Sequence, residues 1–194
     1  SAASDVYKRQ EIDMVYVGIK PDWHEYTNEL FERFEIDSRR VKVIDGGADR
    51  NGTVMNIAEA IVAEHGKNEG DIILTHDAVR PFVTEKIIKD NIEAMREHSA
   101  CGTYMPAADT IIRSDGEKVR ETLNRSELYQ AQTPQTFRFG DLRRNYYSLS
   151  EEQKKKLTDT CSVFTACNED IYLVVGDALN FKITTDSDLK MANA

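Results

Sequence analysis

The sequence predicts an α/β fold, a mostly parallel sheet with helices on both faces, and three observations carry that prediction. Short apolar runs at 12–19, 41–44, 72–74 and 100–105 alternate with stretches of helical periodicity, the rhythm of strand and crossover helix. The run 72–74 stops at Thr75-His76-Asp77 and then Pro81, which cannot donate to a sheet ladder, so polar chemistry sits at the carboxyl end of a strand. A chain of 194 residues with 40% hydrophobic content can bury one sizeable core, which makes a single domain over 11–194 the expectation.

In chain order, residues 1–10 show no usable periodicity and are expected to be a foreign or disordered leader. A strand over 12–19 is followed by a helix opened by Pro21-Asp22 and running to about Phe34. The next strand, 41–44, runs into residues 45–53, a loop whose glycines and charges argue against packing. From Val54 the apolar positions Val54, Ile57, Ala58, Ile61 and Val62 share one helical face, and Gly66 suits a left-handed cap. After the 72–74 strand, Thr84 caps a helix that turns Ile88, Ile92 and Met95 inward.

Beyond the strand at 100–105 the pattern changes. Residues 109–113 and 118–120 around Asp115-Gly116 predict a β-hairpin that stands away from the helical layers, within an arm spanning about 107–135. The polar run 124–135 has no apolar period and reads as a solvated connector or a ligand wall. Two short helices are expected over 140–148 and 150–157, and Asp159 is expected to cap the helix after them. Strands over 171–175 and 180–183 follow, then a last helix over 189–192 boxed by Thr185 and Asp188.

Thirty-four acidic against 25 basic residues give a net charge of −9, which argues against nonspecific binding to nucleic acid or to an anionic membrane surface. No apolar run approaches the roughly 20 residues of a membrane span, and a cytoplasmic location is expected. The three cysteines, Cys101, Cys161 and Cys167, form no metal-ligand pattern and read as small apolar residues in a reducing compartment.

Three loops bring phosphate chemistry to strand ends. In the first, Gly46-Gly47 permits close backbone approach, Arg50 supplies charge, and Thr53 a hydroxyl near a helix start whose amides attract anions. In the second, Asp77 can hold a divalent cation or a hydroxyl and Arg80 can meet phosphate oxygens with a rigid fork; a turn fixed by an Asp–Arg pair is an equal alternative. In the third, Lys182 lies between Phe181 and Ile183 and must point away from the core, toward solvent or a site.

Taken together, Gly46-Gly47-x-x-Arg50-x-x-Thr53-Val54, His76-Asp77-Ala78-Val79-Arg80-Pro81-Phe82, Asp109-Thr110, Arg125, the run from Tyr129 to Phe137, Leu157-Thr158-Asp159 and the run from Asn180 to Thr185 resemble, in this order, the cytidylyltransferases of the methylerythritol-phosphate and ribitol-phosphate type. The resemblance covers about residues 11–194. It implies a Rossmann-like nucleotidyltransferase sheet whose hairpin is a dimerisation arm, a homodimer, and Mg2+ or another divalent cation held in part by Asp77. It implies that Gly46, Gly47, Arg50, Thr53 and Asp77 bind CTP. Arg80, Asp109, Thr110 and Thr133 would meet a sugar-alcohol phosphate, and Arg125 and Lys182 would position its attacking oxygen.

Val79, Phe82, the Tyr-Gln-x-Gln-Thr-Pro-Gln run and the segment from Ser150 to Lys154 are more similar to the enzymes that make CDP-ribitol from D-ribitol 5-phosphate for teichoic acid synthesis. The same chemistry on 2-C-methyl-D-erythritol 4-phosphate, for isoprenoid synthesis, is the alternative substrate, and a noncatalytic nucleotide-binding module the alternative class. The family's opening glycine-rich loop, which cradles the triphosphate, has no counterpart here, so the chain is expected to behave as an N-terminally truncated member with little activity.

Overall fold

The computed structural model describes residues 12–193; the expected leader at 1–10 lies outside them. β1 (Val15–Ile19) and β2 (Val41–Asp45) pair in parallel, Val15 opposite Val41 and Ile19 opposite Asp45. α1 (His24–Arg33) connects them. α2 (Arg50–His65) then returns to β3 (Ile72–Thr75). This helix begins inside the segment expected to be an open loop, because Asp49 accepts from the Gly52 N–H at 2.7 Å and nucleates the first turn there. Gly66 closes it at φ 81°, the left-handed region that its sequence position requires.

A second sheet has the order β3-β7-β4-β8, formed with β4 (Ala100–Pro106), β7 (Tyr129–Arg138) and β8 (Tyr172–Val175). β7 runs antiparallel to both of its neighbours, while β4 and β8 are parallel, so three of the four strands share one direction. The polar connector expected over 124–135 is therefore corrected: its second half is a strand. From Gln132 onward its polar side chains are buried because each has a partner, and Pro134 is tolerated because the ladder slips there. Gly102 faces Gln135 and Thr103 faces Gln132, leaving Thr133 and Pro134 outside the regular pairing.

Adjacent residues of β4 show that both sheet faces are covered. Ala100 and Cys101 are both fully buried and point in opposite directions. Ala100 joins Val54, Met55 and Ala58 of α2, Leu142 of α4 (Phe139–Ser148), and Val163 and Phe164 of α6 (Cys161–Ala166) around Phe137. Cys101 joins Met95, which follows α3 (Glu85–Ala94), and Val174 of β8 on the other face. Thr84 caps α3 as expected, and Ser150 caps α5 (Glu151–Lys154).

β5 (Ile112–Ser114) and β6 (Val119–Thr122) form the expected hairpin, with Gly116 at φ 99° in its turn and every residue of both strands exposed. Its base is closed where the Ala107 N–H donates to the Leu128 carbonyl. The strand expected over 180–183 is absent: that segment has no ladder and is held by single bonds, such as Ile183 N–H to the Val79 carbonyl. α7 (Asp186–Ala192) starts from the Thr185 and Asp188 capping box. No helix among the described residues is long and apolar enough to cross a membrane.

Candidate active site

Asp77 leaves the carboxyl end of β3 and is the centre of a charge cluster drawn from three parts of the chain. Its carboxylate lies 3.1 Å from Arg50 Nε, 3.2 Å from Lys182 Nζ and 3.8 Å from Arg80 Nε. Burial alone would raise its pKa, but Arg50 and Lys182 outweigh that effect and hold it below the usual carboxylate range. Three cations against one anion leave this rim positive, although the whole chain is strongly acidic.

Each partner is fixed from behind. Arg80 donates through Nη1 to the Asn180 carbonyl at 2.8 Å, tying the Asp77 turn to the segment that carries Lys182. Asn180 is fully buried, its amide donating to Thr133 O and Gln132 Oε1, which places Lys182 without a strand. The Asp77 N–H donates to Thr133 Oγ1 at 3.0 Å. Thr133 Oγ1 also lies 3.0 Å from His76 Nδ1, and His76 Nε2 faces the Arg80 carbonyl at 3.0 Å. A carbonyl only accepts, so the proton sits on Nε2 and Nδ1 accepts from the threonine.

The glycine loop meets the same rim at the end of β2. Gly46 N–H donates to Ile19 O, and Gly47 N–H donates to Thr53 Oγ1 at 2.9 Å. The Thr53 hydroxyl in turn donates to Asp49 O at 2.9 Å, so it shapes the loop and has no proton left for a ligand. A Cβ on Gly47 would stand 2.4 Å from the Gly52 carbonyl carbon; this close approach to the start of α2 demands glycine.

The structure thus joins Arg50, Asp77, Arg80, Thr133 and Lys182 by direct contacts, and Gly46, Gly47 and Thr53 shape the loop and first helical turn from which Arg50 reaches them. Thr133, buried and doubly bonded, braces the turn. Asp109, Thr110 and Arg125 lie elsewhere, exposed at the base of the arm, where Arg125 Nη1 donates to Ala108 O at 2.8 Å. Asp159 spends its carboxylate on the Ser162 N–H and on Gln135, in keeping with a capping role. Burial pushes the Cys101 thiol up to about 11 and the Cys161 thiol up to about 12, which leaves both inert.

A divalent ion at Asp77 would find a single carboxylate there. That carboxylate is shared among three cations, and no group of three or more His, Cys, Asp or Glu side chains able to hold a metal occurs among the described residues. Asp77 would give a divalent ion one ligand, with phosphate oxygens of the nucleotide supplying others, and the surrounding cations would meet the rest of the charge. They fit a polyanion.

The residues that sequence reasoning passed over are Asn51, Gln135 and Thr160, a buried network behind Arg50. Only Gln135 stood in a motif singled out from the sequence, and no local spacing marks the other two.

Residues 2–194 match the sequence family described as IspD, 2-C-methyl-D-erythritol 4-phosphate cytidylyltransferase. The chain belongs to the IspD family. Among solved structures, it is similar to the 2-C-methyl-D-erythritol 4-phosphate cytidylyltransferase of Francisella tularensis, at 27% identity and TM-score 0.84, covering 99% of this chain and 84% of that one. The 4-diphosphocytidyl-2C-methyl-D-erythritol synthase of Anaerococcus prevotii matches at 27% identity and TM-score 0.81, over 99% of this chain and 82% of that one. The 2-C-methyl-D-erythritol 4-phosphate cytidylyltransferase of Thermus thermophilus matches at 25% identity and TM-score 0.78, over 98% of this chain and 83% of that one. IspD proteins are CTP-using cytidylyltransferases that act on a phosphorylated sugar alcohol, and the α/β architecture seen here is theirs.

Proposed function

We propose that the chain is a 2-C-methyl-D-erythritol 4-phosphate cytidylyltransferase. The family match over 2–194, joined to a positive rim built on Asp77, Arg50 and Lys182, carries this reading. A phosphate oxygen of the acceptor attacks the α-phosphorus of CTP, the bond between the α- and β-phosphates breaks, and pyrophosphate leaves. Negative charge builds on the phosphoryl oxygens as this happens, and Lys182 and Arg50 stabilise it from fixed positions. Asp77 orients both cations, while Gly46 and Gly47 let the nucleotide approach backbone. Arg80 and Thr133 act from behind, as braces of the Asp77 turn.

The motif details at Val79 and Phe82 put ribitol 5-phosphate first; the family match and the similar structures favour methylerythritol phosphate instead. Pyrophosphate release with CTP and each acceptor, supported by calorimetric titration of both, decides the substrate. Faster release with ribitol 5-phosphate would overturn the choice.

The arm belongs to a homodimer in this reading, and it carries Asp109, Thr110 and Arg125 to the neighbouring subunit's acceptor. Exposed apolar side chains Ile112 and Val119 on an otherwise unpacked hairpin support it. Sedimentation of a chain lacking 111–122 is expected to give a folded monomer; an unchanged oligomeric state would count against the arm.

A further inference from the structure

We propose that Thr160 is a positioning residue: its buried hydroxyl aims the Arg50 guanidinium across Asp77 and so presents one edge of that fork to the nucleotide. The inference deepens, and rests on, the reading of the Asp77 rim as the CTP site.

An arginine at a helix start has a long, freely rotating side chain, and one ion pair fixes only one end of its planar head. Arg50 Nε meets Asp77 Oδ1 at 3.1 Å, but Asp77 also serves Lys182 and Arg80. The second anchor is Nη1, which donates to Thr160 Oγ1 at 2.6 Å. Two bonds made by different nitrogens of a planar group set its orientation. Nη2 then has no protein partner among the described residues, and it is the edge left for an anionic or carbonyl oxygen.

The hydroxyl is held in the polarity this requires. Thr160 is 1% exposed, and its own proton goes to Asn51 Oδ1 at 3.2 Å, so toward Arg50 it can only accept. Its backbone N–H is taken by Gln135 Oε1 at 3.2 Å, and Gln135 Nε2 donates to Asp159 Oδ2 at 2.6 Å. Asn51 Nδ2 donates to the Asp159 carbonyl at 3.3 Å. Every member is buried or half-buried and partnered, the condition under which a polar network fixes a single geometry. The network joins β7, α2 and the entry to α6, elements with no other shared task at this rim.

CTP affinity by calorimetry tests this in wild type, Thr160→Val, Thr160→Ser, Arg50→Ala and the Arg50→Ala/Thr160→Val double variant, with the Arg50 Nε–H resonance as a second readout. Thr160→Val is expected to weaken CTP on the order of tenfold, since a hydrogen bond to a charged group is lost. Thr160→Ser restores affinity, and Thr160→Val adds nothing once Arg50 is gone. An equal loss with and without Arg50 would overturn the proposal, because a general packing role predicts that. If Arg50→Ala leaves CTP binding unchanged, the site reading itself fails. Positioning is then judged on the Arg50 resonance, which Thr160→Val must shift or broaden; an unmoved signal overturns it. Should Thr160→Val not fold, Asn51→Ala, which removes the acceptor of the hydroxyl proton, goes through the same cycle with the same outcomes.

Discussion

Lys182 holds its ammonium 3.2 Å from Oδ2 of Asp77 while standing on no strand. It is placed by its neighbour Asn180, whose buried side chain bonds to β7 and whose carbonyl accepts from Arg80. The Lys182 side chain is 45% exposed, so its ion pair adds little to stability, about 1 kcal/mol or less. Lys182→Ala is expected to keep the melting temperature and to lose on the order of a hundredfold in pyrophosphate release. A large drop in melting temperature would recast Lys182 as structural.

Gly47→Ala tests the approach of the loop to α2. The added Cβ would meet backbone atoms, the Gly52 carbonyl carbon at 2.4 Å and Thr53 N at 2.7 Å, and backbone cannot swing aside as a side chain can. We expect about 1–3 kcal/mol of destabilisation and weaker CTP binding, read from urea midpoints and calorimetry. Gly70→Ala, whose Cβ would have no neighbour nearer than 3.7 Å, is the neutral control.

Asn91 carries a polar knot inside the apolar layer between α3 and the sheet. It is fully buried; its amide donates to Ile87 O at 2.9 Å and Thr103 Oγ1 at 3.0 Å, and its oxygen accepts from Thr136 Oγ1 at 3.2 Å. Asn91→Leu fills the volume but takes the acceptor from Thr136 Oγ1 and one donor from Thr103, whose hydroxyl keeps Pro134 O, and a loss of about 1–3 kcal/mol is expected in the urea midpoint, without a change of slope. A neutral result would mean the threonines re-pair with each other.

His76 makes stability depend on pH. Burial is the main force holding its pKa below the ordinary 6.5; the hydrogen bond to the Arg80 carbonyl and the charge of Asp77 oppose it, while the charges of Arg80 and Arg50 push the same way as burial. The unfolded chain therefore takes up the proton first as pH falls. Stability from this group is complete above pH 6.5 and is lost as pH drops through the depressed folded value. Denaturation at about pH 7.5 and about pH 5.5 should show a decline that His76→Gln reduces.

Local signals were legible wherever one residue decides a local geometry. Thr84, Gly66, Gly116 and the Thr185 and Asp188 box stand at the turns and helix ends their side chains predict. The strand β7 was hidden because its burial is polar: Gln132, Thr133, Gln135 and Thr136 are inside on the strength of partners far away in sequence. The Phe181-Lys182-Ile183 alternation imitates a strand, yet a side-chain lock at Asn180 replaced the ladder. Within the site, the charged residues that gather at Asp77, namely Arg50, Arg80 and Lys182, could be read from motif order. Those that hold them, Asn51 and Thr160, could not, since their roles exist only once separate segments meet.

β7 pairs with β3 on one edge and β4 on the other, so it is the keystone of the larger sheet. A mutational scan should accordingly find its deepest intolerance between Gln132 and Phe137, where the composition looks like that of a dispensable surface linker. Substitutions to ordinary β-formers there would improve the segment's apparent strand character and still damage the protein.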